Sequence, residues 1–258
     1  MDIEPKYTFV SLTDKNNYGF NDKDTRELFK KWGMNLSCQN FLFNEKFHPY
    51  HKYNLAEEFF KDPAVAGKLK IWNDNEFKES YDTSASEVEV KQIPCSIMSM
   101  AFFDKLKNPD NNIVYASGNI HQKYDDFIDG ILVPDNLRAM LLDEESKEYN
   151  LFSQDERNEF IFKLFQLLVL GGECCQYEDT LDKYLETTKI LYKDFVRIQK
   201  QENDSNLLIT TIVLEVIAKK NDVPYFPRKP EHKQNLGFLL IDPINREIKT
   251  IVHQYGNQ

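Results

Sequence analysis

Residues Ser153 to Gly172 read SQDERNEFIFKLFQLLVLGG. Ser153 stands three residues before Glu156, the spacing at which each side chain satisfies the other's free backbone N–H at a helix start. From there Phe160, Ile161, Phe162, Leu164, Phe165, Leu167 and Leu168 cover nearly the whole circumference of a helix running to Leu170. A helix that is apolar all round is buried centrally. Gly171 and Gly172 end it, because glycine accepts the positive φ that a C-terminal cap requires.

The chain continues ECCQYEDTLDKYLETTKILYKDFVRI, Glu173 to Ile198. Taken as a second helix over 173–191, it places Cys174, Tyr177, Leu181, Tyr184, Leu185 and Thr188 on one stripe. Cys174 is then expected in the core. Cys175 is expected nearer the surface, beside Asp179, Asp182 and Glu186. LYKDFVRIQ, LLITTIVLEVIA, GFLLID and EIKTIV follow as strand-like runs, with a hairpin turn at Pro243-Ile-Asn-Arg246.

The N-terminal half mixes short strands and helices. Strands are expected at Tyr7–Leu12, Leu36–Phe43 and Val88–Ile93. Helices are expected after Asn21, with Gly33 as a left-handed stop, and after Asn54, with Glu57 completing the cap. Pro63 punctuates, Pro94 opens a helix and Pro134 opens another. The polar stretch 73–87 is expected to be a surface loop. Helices and strands are grouped rather than alternating. The expected fold is therefore α+β, an antiparallel C-terminal sheet packed on the apolar helix. It forms one domain over 1–258, with 1–120 and 121–258 as candidate lobes.

Composition excludes several classes. The 258 residues carry 32 Lys and Arg against 42 Asp and Glu, a net charge of −10 that repels phosphate backbones. The N-terminus lacks the basic and apolar regions of a signal peptide. The apolar run Phe160–Leu170 is shorter than the ~20 residues of a membrane span. Neither nucleic acid nor membrane is an expected partner, and the four cysteines are expected to be reduced, in cytoplasm.

The candidate sites are few. A zinc site needs about four convergent N or S ligands, commonly as CxxC or HxxxH pairs. Cys174-Cys175 has the wrong spacing, and neighbours on a helix diverge by ~100°, which also forbids a disulfide. Cys175 as a nucleophile would have its pKa raised by Asp179, Asp182 and Glu186, and a base such as His253 or His232 could approach only through tertiary structure. His48-Pro-Tyr-His51 reads as a surface loop, and Asp242 as a turn residue. GxxxxGK[ST], GxGxxG, HExxH and GxSxG are absent from the sequence. No cofactor or metal is expected. Glu178, Asp179, Asp182 and Glu186 form an acidic face. It reads first as solvated, and alternatively as a docking surface for a basic partner, probed by Glu178 and Asp179.

The blocks FFKDP (Phe59–Pro63), IPCSIMSMAFF (Ile93–Phe103), FSQDERNEFIFKLF (Phe152–Phe165), CQYEDTLDKYLETTKILYKDFV (Cys175–Val196), IDPINR (Ile241–Arg246) and HQYG (His253–Gly256) occur in this order. Together they resemble the cilia- and flagella-associated protein 300 family over roughly 50–256. The resemblance implies a non-enzymatic protein of cytoplasm and the cilium or flagellum axoneme, needed to assemble or transport outer and inner dynein arms. It implies as partners dynein-arm preassembly factors of the kintoun kind, axonemal dynein components and the intraflagellar transport machinery. It supplies no catalytic residues. A cryptic thiol enzyme using Cys175 and a stable structural axonemal component stand as the alternatives.

Overall fold

Among residues 6–81, 83–200 and 206–256, which the computed structural model describes, the largest element is a seven-stranded antiparallel sheet. The first part of the chain gives β1 (Phe9–Ser11), α1 (Tyr18–Asn21), α2 (Lys23–Lys31), β2 (Asn35–Phe43), α3 (Lys52–Lys61), α4 (Pro63–Ala66), β3 (Lys70–Asn73), β4 (Glu76–Glu79) and β5 (Glu87–Ile93). The middle gives β6 (Gln122–Ile128), β7 (Ile131–Asp135), α5 (Asn136–Leu142), α6 (Gln154–Asn158), α7 (Phe160–Leu170) and α8 (Asp182–Phe195). The last part gives β8 (Ile198–Lys200), β9 (Leu207–Ile209), β10 (Ile212–Lys220), β11 (Val223–Phe226), β12 (Leu236–Asp242) and β13 (Glu247–Gln254). The sheet order is β1-β2-β13-β12-β10-β11, with β5 also paired to β10.

The sheet is covered on both faces. Phe238, Leu240, Val213 and Ile251 pack with α5, α7 and α8. Leu239, Ile241, Leu214 and Ile248 pack with α3, α4 and β11. Successive residues of a strand point to opposite faces, so Gly237–Ile241 is apolar throughout because both of its faces are buried. The α+β class and the antiparallel sheet on a buried apolar helix stand as read. β1, β2 and β5 add N-terminal strands to that sheet.

Several boundaries differ. The capping box at Ser153 is present, but Glu159 takes extended dihedrals (φ −60°, ψ 138°) and splits the expected helix into α6 and α7. There the Glu159 carboxylate accepts from the Ser96 N–H at 2.9 Å, and the Phe160 N–H donates to Pro94 O at 2.8 Å. Those bonds to the segment after β5 replace helical ones. Pro94 therefore opens no helix; Ser99 instead caps a 3₁₀ turn at Met100–Lys107.

Asp22, not Asn21, caps α2, accepting from the Asp24 and Thr25 N–H groups. Asn54 lies inside α3, which a 3₁₀ turn at Pro49–His51 already starts. The 73–87 stretch contains the β3–β4 hairpin, closed by Asp74 and Asn75 at φ 50° and 65°. The β6–β7 hairpin closes on Asp129-Gly130 at φ 52° and 79°. Pro134 belongs to β7, and Asp135 caps α5. The expected helix over 173–191 begins only at Asp182 and runs on to Phe195, so LYKDF is helical rather than strand. The run LLITTIVLEVIA divides into β9 and β10, where the Thr211 hydroxyl accepts from the Arg197 N–H at 2.8 Å.

Candidate functional site

The Gly171-Gly172 joint is built by close backbone approach. Gly171 has φ 64° and ψ −157°, which ends α7. The Gly172 N–H donates to Trp32 O at 2.8 Å and the Gln176 N–H to Lys31 O at 3.0 Å. The segment after α7 is thus tied to the end of α2 rather than to its own helix. Gly33, at φ 64°, faces it: a Cβ there would stand 3.1 Å from the Cys174 carbonyl carbon. A Cβ on Gly171 would meet Cys175 Sγ at 2.5 Å and Trp32 O at 2.7 Å, and one on Gly172 would run into Gly33 O. The expected cap stands. The two cysteines are reversed, Cys174 being exposed and Cys175 half-buried, because 173–181 is not helical.

Below the joint lies Arg138, fully buried. Its guanidinium forms an ion pair with Asp135 and donates to Val169 O at 2.9 Å and to the Tyr184 hydroxyl at 2.7 Å. It also lies 3.6 Å from the Tyr177 ring centroid. Burial disfavours this charge, yet Asp135 beside it holds the Arg138 pKa above its ordinary value. The Tyr184 hydroxyl accepts from the Glu178 N–H at 2.9 Å, and its ring packs 4.9 Å from that of Trp32.

Glu178 belongs to this network. Its carboxylate accepts from Trp32 Nε1 at 2.9 Å and pairs with Lys31 at 2.7 Å, with 14% of the side chain exposed. The structure therefore corrects its placement on an open acidic face. Asp179, Asp182 and Glu186 are exposed; the Asp179 backbone oxygen accepts from the Ile120 N–H at 2.8 Å.

The thiols face resistance to ionisation. Burial pushes Cys175 up to about 12 against the pull of Arg138, and likewise Cys38 up to about 12 and Cys95 up to about 11. His253 is fully buried in the sheet, with Nδ1 2.5 Å from Gln234 O. A carbonyl only accepts, so Nδ1 carries the proton. Burial lowers its pKa to about 4. His232 stacks on Tyr255 at 4.3 Å, and Tyr50 stands between His48 and His51 at 5.4 and 4.2 Å. Asp242 accepts from the Ile244 and Asn245 N–H groups, as its turn role requires. Among the described residues, no group of three or more His, Cys, Asp or Glu could hold a metal ion, and no helix is long and apolar enough to cross a membrane.

The sequence model of the cilia- and flagella-associated protein 300 family matches residues 6–253. The chain belongs to that family. Proteins called cilia- and flagella-associated protein 300 from Chlamydomonas reinhardtii and Paramecium tetraurelia are 29% and 30% identical to it. The alignments cover 96% and 95% of this chain and 97% and 93% of those relatives. No solved structure matches it. The family match takes in residues 6–50, which lie ahead of the blocks that carry the resemblance. Blocks that resemble the cilia- and flagella-associated protein 300 family hold the fold at its joints: Tyr177 of CQYED lies over Arg138, and HQYG ends beside Glu173, where a Cβ on Gly256 would stand 2.9 Å from its Oε2.

Proposed function

We propose that this protein is a non-enzymatic factor for the assembly of outer and inner axonemal dynein arms and for their delivery by intraflagellar transport. The family match over residues 6–253 carries the reading, because it ties the chain to cilia and flagella. In this reading the protein works by binding, in cytoplasm and growing cilia. Its partners are kintoun-like preassembly factors, axonemal dynein components and the transport machinery. The burial of Cys175 speaks against the thiol-enzyme alternative, since a thiol held near 12 supplies almost no thiolate at neutral pH.

Deletion of the gene in a ciliated cell tests it. Doublets are expected to form while dynein arms are missing and beating is lost. Normal arms and normal beating after complete loss would overturn the proposal. Rescue by Cys175→Ser separates binding from thiol chemistry: a folded variant that fails to restore arms would favour the enzyme. Resistance of the protein to salt extraction from isolated axonemes would favour a structural component.

A further inference from the structure

The β6–β7 ribbon exposes two aromatic side chains: Tyr124 is 96% exposed and Phe127 68%. The register explains part of this. Gln122 pairs with Asp135 and Asp126 with Val133, so three residues of β6 stand opposite one of β7. Such a bulge bends the strand and re-aims its side chains, and here Tyr124 lies at its centre. The ribbon is nonetheless anchored. Ile131 and Val133 are buried in the core, Tyr177 donates its hydroxyl to Leu132 O at 3.3 Å, and Lys233 pairs with Asp129 at 2.8 Å.

Asp125 and Asp126 stand between the two in sequence, both exposed, and the Asp126 carboxylate accepts from the Phe127 N–H at 2.8 Å. Among the described residues, neither side chain enters an ion pair, whereas the neighbouring Lys123 is engaged by Asp143 at 4.0 Å. Exposed aromatics on a fixed ribbon are the usual anchors of protein interfaces. Both features of this surface select the same chemistry. Ring faces attract ammonium and guanidinium groups, and carboxylates pair with them. The net charge of −10 steers cations towards the chain and repels phosphate-bearing surfaces.

We propose that the β6–β7 ribbon is a docking surface for an arginine- or lysine-rich segment of a protein partner. The segment lies along the edge of β6 that is unpaired among the described residues, where its cations reach the Tyr124 and Phe127 rings and the carboxylates of Asp125 and Asp126 on the two sides of the strand. The surface needs no rearrangement to receive them, because its core-facing residues already fix it. The inference goes beyond the dynein-arm reading and does not depend on which ciliary cargo is carried.

The test uses the purified full chain and a short fluorescent peptide of alternating arginine and leucine, followed by anisotropy at about 0.15 M salt. Tyr124→Ala with Phe127→Ala, and separately Asp125→Asn with Asp126→Asn, are each expected to weaken binding about tenfold. Their melting temperatures should match the parent, since these side chains are exposed. Asp104→Asn with Asp110→Asn, on another exposed acidic turn, should leave binding unchanged. Equal weakening by that control, or unchanged binding in both ribbon variants, would overturn the proposal. A dimer in sedimentation that Tyr124→Ala dissolves would also overturn it, by assigning the ribbon to a second copy of this chain.

Discussion

The Gly172 N–H and the Trp32 carbonyl lie 2.8 Å apart, and through this bond the end of α7 is joined to the end of α2. Gly172 meets the Gly33 backbone, which leaves no volume for a side chain on Gly172, while a Cβ on Gly33 would be crowded by the Cys174 backbone at 3.1–3.3 Å. The paired glycines therefore serve a close approach as well as a helix stop.

Gly172→Ala is expected to destabilise the fold by about 3 kcal/mol or more, because the new Cβ overlaps Gly33 O and backbone must move. Gly118 also has positive φ, 89°, but open space around it. Gly118→Ala should cost only the conformational strain, about 1 kcal/mol. Urea midpoints of the two variants should separate accordingly; equal midpoints would refute the overlap.

Arg138→Met removes a buried cation and leaves Asp135 without its partner. Loss of one member of such a pair costs about 3–5 kcal/mol. Arg138→Lys should recover little, since an ammonium cannot reach Asp135, Val169 O and Tyr184 as a planar fork does. Chemical denaturation of both variants measures this, and near-native stability of Arg138→Lys would show that charge alone suffices.

Thiol accessibility gives a kinetic prediction. Cys174 is exposed, whereas Cys38, Cys95 and Cys175 are held protonated by burial. A disulfide reagent at pH 8 should label Cys174 first, and the other three only as the protein unfolds. The sign for stability follows: the unfolded thiols ionise near 9 and the folded ones near 11–12, so stability falls as pH rises through that interval. Peptide mapping by mass spectrometry reads the order of labelling.

His253 shapes the acid limb together with His232, whose pKa burial also lowers. The His253 pKa falls from 6.5 to about 4 in the folded protein, so its contribution is complete above 6.5 and is lost as pH drops towards 4. The span is on the order of 3 kcal/mol. Stability measured across this interval should slope more steeply in the parent than in His253→Gln. Identical slopes would assign the proton uptake elsewhere.

Glu178 and its neighbour Asp179 should behave differently. Glu178→Gln weakens the contacts to Lys31 and Trp32 and is expected to cost roughly 1–2 kcal/mol. Asp179→Lys changes an exposed side chain and should stay within about 0.5 kcal/mol. Thermal melts compare them. Loss of partner capture in Asp179→Lys, with folding intact, would point to the acidic edge as a docking surface.

The central features were legible where pattern and local chemistry agree. Phe160–Leu170 announces a buried helix by composition, Ser153 and Glu156 give a cap by spacing, and β12 and β13 flank a turn that Asp242 and Pro243 define. What escaped depends on distant partners. Glu159 interrupts its helix because Ser96 and Pro94 take up its hydrogen bonds. Residues 173–181 avoid a helix because Lys31 O takes the Gln176 N–H, the Tyr184 hydroxyl takes the Glu178 N–H and Asp179 O accepts from the Ile120 N–H. Glu178 looks like a surface acid until Trp32 arrives to donate to it. The β6–β7 hairpin did carry a local signal, Asp129-Gly130, which suits a two-residue turn with positive φ. Asp74-Asn75 is a weaker form of the same signal.

The strand order sets a schedule for making the protein. β2 has β13 as its neighbour, with Phe41 opposite Ile248 and Cys38 opposite Ile251. A ribosome adding ~5–20 residues per second takes roughly 10–40 s to span that interval. Throughout it, Phe9 and Phe41 can already pack on Phe59 of α3, but the β2 edge that pairs with β13 stays open, a natural substrate for chaperones. A premature stop anywhere before Glu247 would leave β1 and β2 unattached to the rest of the sheet, and such a shortened chain would face degradation rather than partial function.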